Sequence, residues 1–112
     1  MNTMTDLAGI RAGHPLHEKM RIGGERVGGS RVLEVRNPYT GAVVGTVPKA
    51  SVEEIRRAFA IARAYKPTLT RYQRYEICRR TAEIIRSRAE AISDLITAEC
   101  GIGKKDSRYE VG

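Results

Sequence analysis

The sequence predicts an α/β chain in which two β-hairpins are followed by three to four helices. Between residues 19 and 47, short segments of alternating apolar and polar residues flank turns that contain glycine. From residue 52 onward, apolar residues recur at three- and four-residue spacing, as on one face of a helix. Two S/T-x-x-E/Q capping boxes mark where helices begin.

The amino-terminal segment is predicted to be a mobile leader over residues 1–17, because it is polar, contains glycine and shows no period. The first hairpin follows. Residues 19–22 alternate as a short strand, Gly23 and Gly24 supply a tight turn, and residues 25–27 form the return strand.

The second hairpin has the stronger pattern. Residues 32–36 alternate with a period of two, as in a half-buried strand. In the turn of residues 37–41, Pro38 presets its own φ and Gly41 can adopt a positive φ. Residues 42–47 form the return strand, and Pro48 discourages its continuation.

The first helix is predicted to begin after Ser51, which forms a capping box with Glu54. It ends at Lys66, because the residue before a proline avoids the α region. The helix carries one apolar stripe, made of Val52, Ile55, Ala58, Phe59 and Ala62.

The second helix begins near Thr70, where Thr70 and Gln73 form another capping box. Its predicted apolar stripe is Tyr75, Cys78, Thr81, Ala82 and Ile85. On the opposite face, spacing predicts ion pairs of Glu76 with Arg79 and Arg80, and of Glu83 with Arg86.

The third helix covers residues 89–99, and Gly101 suits the left-handed position just past its end. Its apolar side holds Ile92, Leu95, Ile96 and Cys100. Residues 104–112 resemble the start of a fourth helix without a terminating signal. The sequence is therefore expected to be a fragment of a longer protein.

Composition limits the class of protein. The 112 residues are 41% hydrophobic and 29% charged, which is typical of a soluble globular domain or part of one. No run reaches the roughly 18 apolar residues that a membrane span needs, and no secretory signal is seen, so a cytoplasmic location is expected. The formal net charge of +7 admits an alternative, a small basic nucleic-acid-binding protein.

Several motifs have features of phosphate-binding or nucleic-acid-binding sites. Residues 23–30 match the spacing of a phosphate-binding P-loop, but Gly29 replaces its lysine and no helix follows, so a hairpin turn is expected. Residues 101–103 follow a helix instead of a strand, which favours a helix terminator over a dinucleotide-binding turn. Tyr65, Tyr72 and Tyr75 lie among arginines, but Tyr75 falls on the apolar stripe, so nucleic-acid binding is not favoured.

Catalytic and metal sites are not predicted. Cys100 lacks a local histidine that could activate a thiolate, and Cys78 and Cys100 are expected to be reduced thiols. His14 and His17 have no further ligands nearby, so no metal site is predicted. Adjacent Glu53 and Glu54 point in different directions on a helix and complement its positive amino terminus instead of forming an acid–base pair.

From about Arg21 to Gly112 the chain resembles the first part of the NAD(P)-dependent aldehyde dehydrogenase superfamily. The resemblance rests on six segments in the same order: residues 22–25, 35–41, 44–48, 52–55, 74–85 and 96–101. Cys100 departs from the family's usual Ser or Thr in the last segment. Residues 64–67 and 105–112 are most similar to the phosphonoacetaldehyde dehydrogenase branch.

The resemblance implies a truncated part, residues 18–112, of an incomplete Rossmann-like cofactor domain. The complete enzyme would oxidise an aldehyde to an acid with NAD or NADP, through a cysteine nucleophile and a glutamate base. In the family these residues and the cofactor-binding glycines lie further along the chain. No catalytic, cofactor-binding or metal-binding residue is therefore assigned here. The fragment is expected to be inactive and to bind no cofactor, and the complete enzyme to be a homo-oligomer. A further alternative is a helical interaction module that completes another protein's fold.

Overall fold

The computed structural model describes residues 15–112, which form five short strands followed by four helices. The strands are β1 (Leu16–His17), β2 (Met20–Ile22), β3 (Glu25–Val27), β4 (Val32–Arg36) and β5 (Val43–Pro48). The helices are α1 (Val52–Ala64), α2 (Arg71–Ser87), α3 (Ala89–Cys100) and α4 (Lys104–Val111). The α/β class, the two hairpins and the helix order predicted from the sequence are confirmed, and the fourth helix is present.

The strands form two small sheets. Strands β2 and β3 pair as an antiparallel hairpin, while β4 and β5 form the second hairpin, with a register irregularity between Val35 and Arg36. The β1 strand adds to β5 in parallel, with Leu16 opposite Gly45 and His17 opposite Thr46. The order of the larger sheet is therefore β1–β5–β4.

The β1 strand corrects the predicted leader at its carboxyl end. Leu16 and His17 were assigned to a mobile segment of residues 1–17, but both pair with β5. The pairing escapes sequence analysis because two residues carry no period. The pairing depends on a glycine at position 45, because a Cβ there would overlap the Leu16 carbonyl oxygen. Gly45 itself is buried. Residues 1–14 lie outside the described part of the chain.

Both predicted capping boxes are present. Glu54 N donates to Ser51 Oγ at 3.2 Å, and Ser51 N donates to the Glu54 carboxylate at 2.7 Å. Thr70 and Gln73 make the equivalent pair of bonds at 3.2 and 2.8 Å. Each box satisfies backbone N–H groups that the first helical turn leaves without a partner, and so fixes where α1 and α2 begin.

The interior is small. Ile22 is the buried apolar residue of the described chain, and the fully buried polar side chains are Ser93 and Ser107. Neither α1 nor α2 has a buried residue. Helix α3 packs against α4 and also contacts β4. The α3–α4 pair contains both fully buried side chains of the described residues and is where the site below is found.

Candidate functional site

A cluster of hydroxyl groups, one lysine and one aspartate lies between α3 and α4, and two of its members, Ser93 and Ser107, are buried. Ser93 Oγ is 2.7 Å from Ser107 Oγ, and Thr97 Oγ1 donates to Ser107 Oγ at 2.9 Å. Lys104 Nζ donates to Ser93 Oγ at 2.8 Å and to Asp94 Oδ1. We call these five residues the α3–α4 polar cluster. Ser93 and Thr97 are four residues apart, so the helix places both hydroxyls on the same face.

The direction of each hydrogen bond follows from donor counting. Ser107 Oγ donates to the Lys104 carbonyl at 3.2 Å and has one hydrogen to give, so Ser93 donates to Ser107. Ser93 in turn accepts from the ammonium of Lys104. The hydroxyls of Ser93 and Ser107 thereby each donate and accept at least one hydrogen bond, as their complete burial requires.

A serine beside a lysine is also the arrangement of a Ser–Lys nucleophile, and the geometry argues against that activity. A nucleophile must reach substrate, but Ser93 is 0% exposed. The lysine must be free to take a proton from the serine, but Lys104 Nζ is held in an ion pair with Asp94. What the contacts show is that the cluster joins two helices.

A second ion pair links the same two helices at the surface. Arg108 Nε and Nη2 donate to the two oxygens of Glu90 at 2.9 and 3.1 Å. The hydrogen bond from Arg108 lowers the pKa of Glu90, and the carboxylate raises the pKa of Arg108 in return. Lys104 Nζ lies 3.9 Å from the same carboxylate. Four charged groups, Glu90, Asp94, Lys104 and Arg108, thus connect α3 to α4.

A pocket of about 230 Å³ lies between the larger sheet and α3. Its lining is Leu16, Glu18, Val35, Val44, Gly45, Thr46, Val47, Leu95 and Glu99. Aliphatic side chains make up most of that surface. The pocket holds no histidine or cysteine, and no group of three metal-ligating side chains occurs among residues 15–112.

The glycine motifs form turns, as predicted. Gly23 and Gly24 have φ of 60° and 84° and connect β2 to β3, and the element after residue 30 is strand β4. Gly101 has φ of 72° and ends α3. Residues 23–30 lead into strand β4, whereas residues 101–103 join helix α3 to helix α4, with Gly103 as the N-cap of α4. Neither segment therefore has the strand–turn–helix order of a dinucleotide-binding turn.

The remaining candidate residues of the described chain are spread over several elements. Cys78 and Cys100 are free, exposed thiols on different helices. His17 Nδ1 is 2.8 Å from Thr46 Oγ1, whereas His14 lies outside the described residues. Glu54 serves in the α1 capping box, while Glu53 is exposed in the first turn.

The tyrosines form a small exposed group. The rings of Tyr72 and Tyr75 are 6.3 Å apart between centroids and tilted by 36°. Tyr75 was predicted to lie on a helix stripe suited to a core, but it is 59% exposed. The stripe itself is present, and it lacks a covering element within the described chain.

Sequence analysis missed the α3–α4 polar cluster altogether. Ser93 interrupts an apolar stripe and Thr97 follows four residues later, which is the signal that could have drawn attention to it. The role of Ser107 depends on how α4 folds back onto α3, and that turn is not encoded in any local spacing. No helix of the described residues is long and apolar enough to cross a bilayer.

Comparison with known proteins shows which family this chain is similar to. The model of the aldehyde dehydrogenase family matches residues 26–112. The 3-sulfolactaldehyde dehydrogenase of Priestia aryabhattai is 31% identical over 91 residues, which are 80% of this chain and 19% of that protein. The lactaldehyde dehydrogenase of Methanococcus aeolicus is 32% identical over 95 residues, covering 82% of this chain and 20% of that protein.

The crystal structure of an NAD-dependent aldehyde dehydrogenase from Sinorhizobium meliloti superposes with a TM-score of 0.82 and 27% identity, over 91% of this chain and 22% of that one. The chain thus spans about a fifth of the length of the curated relatives it matches. Because the family match extends over most of its residues, the chain belongs to the aldehyde dehydrogenase family.

Proposed function

We propose that this chain is a non-catalytic scaffold segment of an enzyme that oxidises an aldehyde to the corresponding acid with NAD or NADP. The family match over residues 26–112 carries the proposal. The apolar faces of α1 and α2 support it, because thirty helical residues without a buried side chain require a covering surface. In this proposal the rest of the enzyme supplies that surface.

The described residues do not fit the cofactor or the chemistry. Their glycine-rich segments are a hairpin turn and a helix terminator, and Cys100 is an exposed thiol far in the sequence from the two histidines. No chemical step that involves the nicotinamide cofactor is therefore assigned to the residues of this chain. The proposal assigns the nucleophile, the base and the cofactor site to other parts of the complete enzyme. It further includes a homo-oligomeric assembly and a cytoplasmic location.

For the substrate we propose phosphonoacetaldehyde. The resemblance of residues 64–67 and 105–112 to that branch of the family supports it. The relative named for 3-sulfolactaldehyde adds support, since a sulfonate and a phosphonate are both tetrahedral oxyanions on a short aldehyde. With the complete enzyme, kcat/KM for phosphonoacetaldehyde should exceed that for lactaldehyde by about a hundredfold, because a site that binds an anion rejects an analogue lacking it. A higher kcat/KM for lactaldehyde than for phosphonoacetaldehyde would contradict the proposed substrate.

The scaffold role is tested with the 112-residue chain itself. The purified chain should reduce neither NAD nor NADP with phosphonoacetaldehyde, 3-sulfolactaldehyde or lactaldehyde, and equilibrium dialysis should detect no retained cofactor. Turnover by the chain alone would contradict the proposal.

A chimera provides the complementary test. The chain replaces the matching segment of the Sinorhizobium meliloti enzyme. The chimera should oxidise that enzyme's aldehydes, whereas the same enzyme with the segment deleted should not. A chimera that is folded by circular dichroism but inactive would show that the segment does more than support the active site.

A further inference from the structure

The charges of α2 are distributed unequally among its arginines. Arg79 binds both carboxylates of the helix, Glu76 at 3.1 Å and Glu83 at 2.5 Å. Sequence spacing predicts pairs of Glu76 with Arg79 and Arg80, and of Glu83 with Arg86, and of these the Glu76–Arg79 pair is confirmed. Instead, one arginine uses both acids, and among residues 15–112 no carboxylate lies within ion-pair distance of Arg80 or Arg86. The hydrogen bonds that Arg79 donates to the Glu76 carboxylate raise the pKa of Arg79.

The two unpaired arginines flank an exposed apolar face. Ile77, Ile84 and Ile85 are 53%, 42% and 39% exposed. Arg80 lies three residues after Ile77 and four before Ile84, so it borders this face on one side. Arg86 lies four residues after Ala82 and borders the stripe of Tyr75 and Ala82 on the other side. We call this surface, bounded by Arg80 and Arg86, the α2 face.

We propose that the α2 face docks onto an acidic polypeptide surface, in which an apolar ridge covers the isoleucines and carboxylates on either side pair with Arg80 and Arg86. Aliphatic side chains favour a polypeptide over a nucleic acid, since a nucleic acid offers phosphates and aromatic bases but no matching aliphatic surface. A second copy of this chain would place arginine against arginine in a molecule of net charge +7. Charge complementarity therefore selects an acidic partner.

This inference deepens the proposed function and rests on it in one respect, because the partner is taken to be the polypeptide that completes the aldehyde dehydrogenase domain. The chemistry of the contact is inferred from α2 alone. Its test therefore uses binding without aldehyde or cofactor, so that failure here and failure of the chimera are separate results.

The experiment measures binding of the full chain by fluorescence anisotropy to three labelled probes. The first is an amphipathic helical peptide of about 18 residues with leucines on one face and glutamates on the other. The second is a scrambled peptide of the same composition, and the third is oligothymidylate of similar length. At about 0.01 M salt the amphipathic peptide should bind at least about fivefold more tightly than either other probe, and about 0.3 M salt should weaken it.

Variants locate the surface. The double substitution Arg80→Gln and Arg86→Gln should weaken peptide binding about fivefold, and Ile77→Gln should weaken it by a similar factor. The control Arg21→Gln with Arg31→Gln removes the same charge outside α2 and should change binding by less than about twofold. Glutamine favours helices, and circular dichroism checks that α2 remains folded.

Equal binding of the scrambled peptide would show that charge alone acts and would overturn the proposal. Tighter binding of oligothymidylate would assign the face to nucleic acid instead. A failure of the amphipathic peptide to bind at low salt, or equal losses from both double variants, would also overturn it.

Discussion

Pro38 lies directly against Gly101, so that a Cβ at Gly101 would come within 2.7 Å of Pro38 Cγ. Through this contact the β4–β5 turn packs against the junction between α3 and α4. Asn37 Oδ1 shapes that turn by accepting from the backbone N–H groups of Tyr39 and Thr40 at 2.9 and 3.0 Å. A hairpin turn and a helix end that are 63 positions apart in the sequence are thereby fixed relative to each other.

Gly101→Ala should destabilise the chain by about 2–4 kcal/mol in the free energy of unfolding, because a left-handed backbone and a steric overlap with Pro38 act together. Gly41→Ala is the matched control, since Gly41 has the same φ of 72° but open space around it. It should cost about 1–2 kcal/mol. Urea unfolding followed by circular dichroism measures both. Equal losses would mean that the Pro38 contact contributes nothing.

Ser107→Ala should lower the free energy of unfolding by about 1–3 kcal/mol, because it leaves the donors of Ser93 and Thr97 without their acceptor inside the protein. The exposed Ser87 serves as control. Its hydroxyl bonds to the Ile84 carbonyl at the surface, and Ser87→Ala should stay within about 0.5 kcal/mol. The same urea titration applies, and a neutral Ser107→Ala would show that the buried cluster is not needed for stability.

Acid should loosen α4 from α3. The hydrogen bond from Arg108 lowers the pKa of Glu90 below its ordinary value of 4.5. A lowered folded-state pKa stabilises the fold above the ordinary value, and this contribution is lost as pH falls through the lowered one. Stability should therefore be flat from pH 7 to about 5 and decline below about 4.5. In the Glu90→Gln variant, the fall in the free energy of unfolding below about pH 4.5 should be smaller than in the parent chain. Parallel pH curves for the variant and the parent would contradict the assignment.

The apolar face of α1 should tolerate polar substitution in the isolated chain. Phe59 is 73% exposed, so Phe59→Gln should change the free energy of unfolding by less than about 0.5 kcal/mol and reduce self-association. Ile22 is 5% exposed, and Ile22→Ala should cost about 2–5 kcal/mol. Urea unfolding and sedimentation velocity separate the two effects. A large loss from Phe59→Gln would reveal packing around α1 in solution.

Sequence patterns determined the elements whose signals are local. The capping bonds of Ser51 and Thr70 reach three residues along the chain, and Gly101 takes its conformation from the helix end that it terminates. Interactions of this range are complete within one turn of backbone. They can therefore be inferred from spacing and residue type.

Tertiary structure decided everything that joins distant residues. The pairing of β1 with β5, the seating of Pro38 on Gly101 and the burial of Ser93 against Ser107 depend on how elements approach one another in space. Even within α2, the choice of Arg79 over Arg80 and Arg86 depends on side-chain conformations that several spacings allow equally. Local chemistry thus fixed where each helix and strand lies along the chain, whereas packing selected which of the possible contacts form.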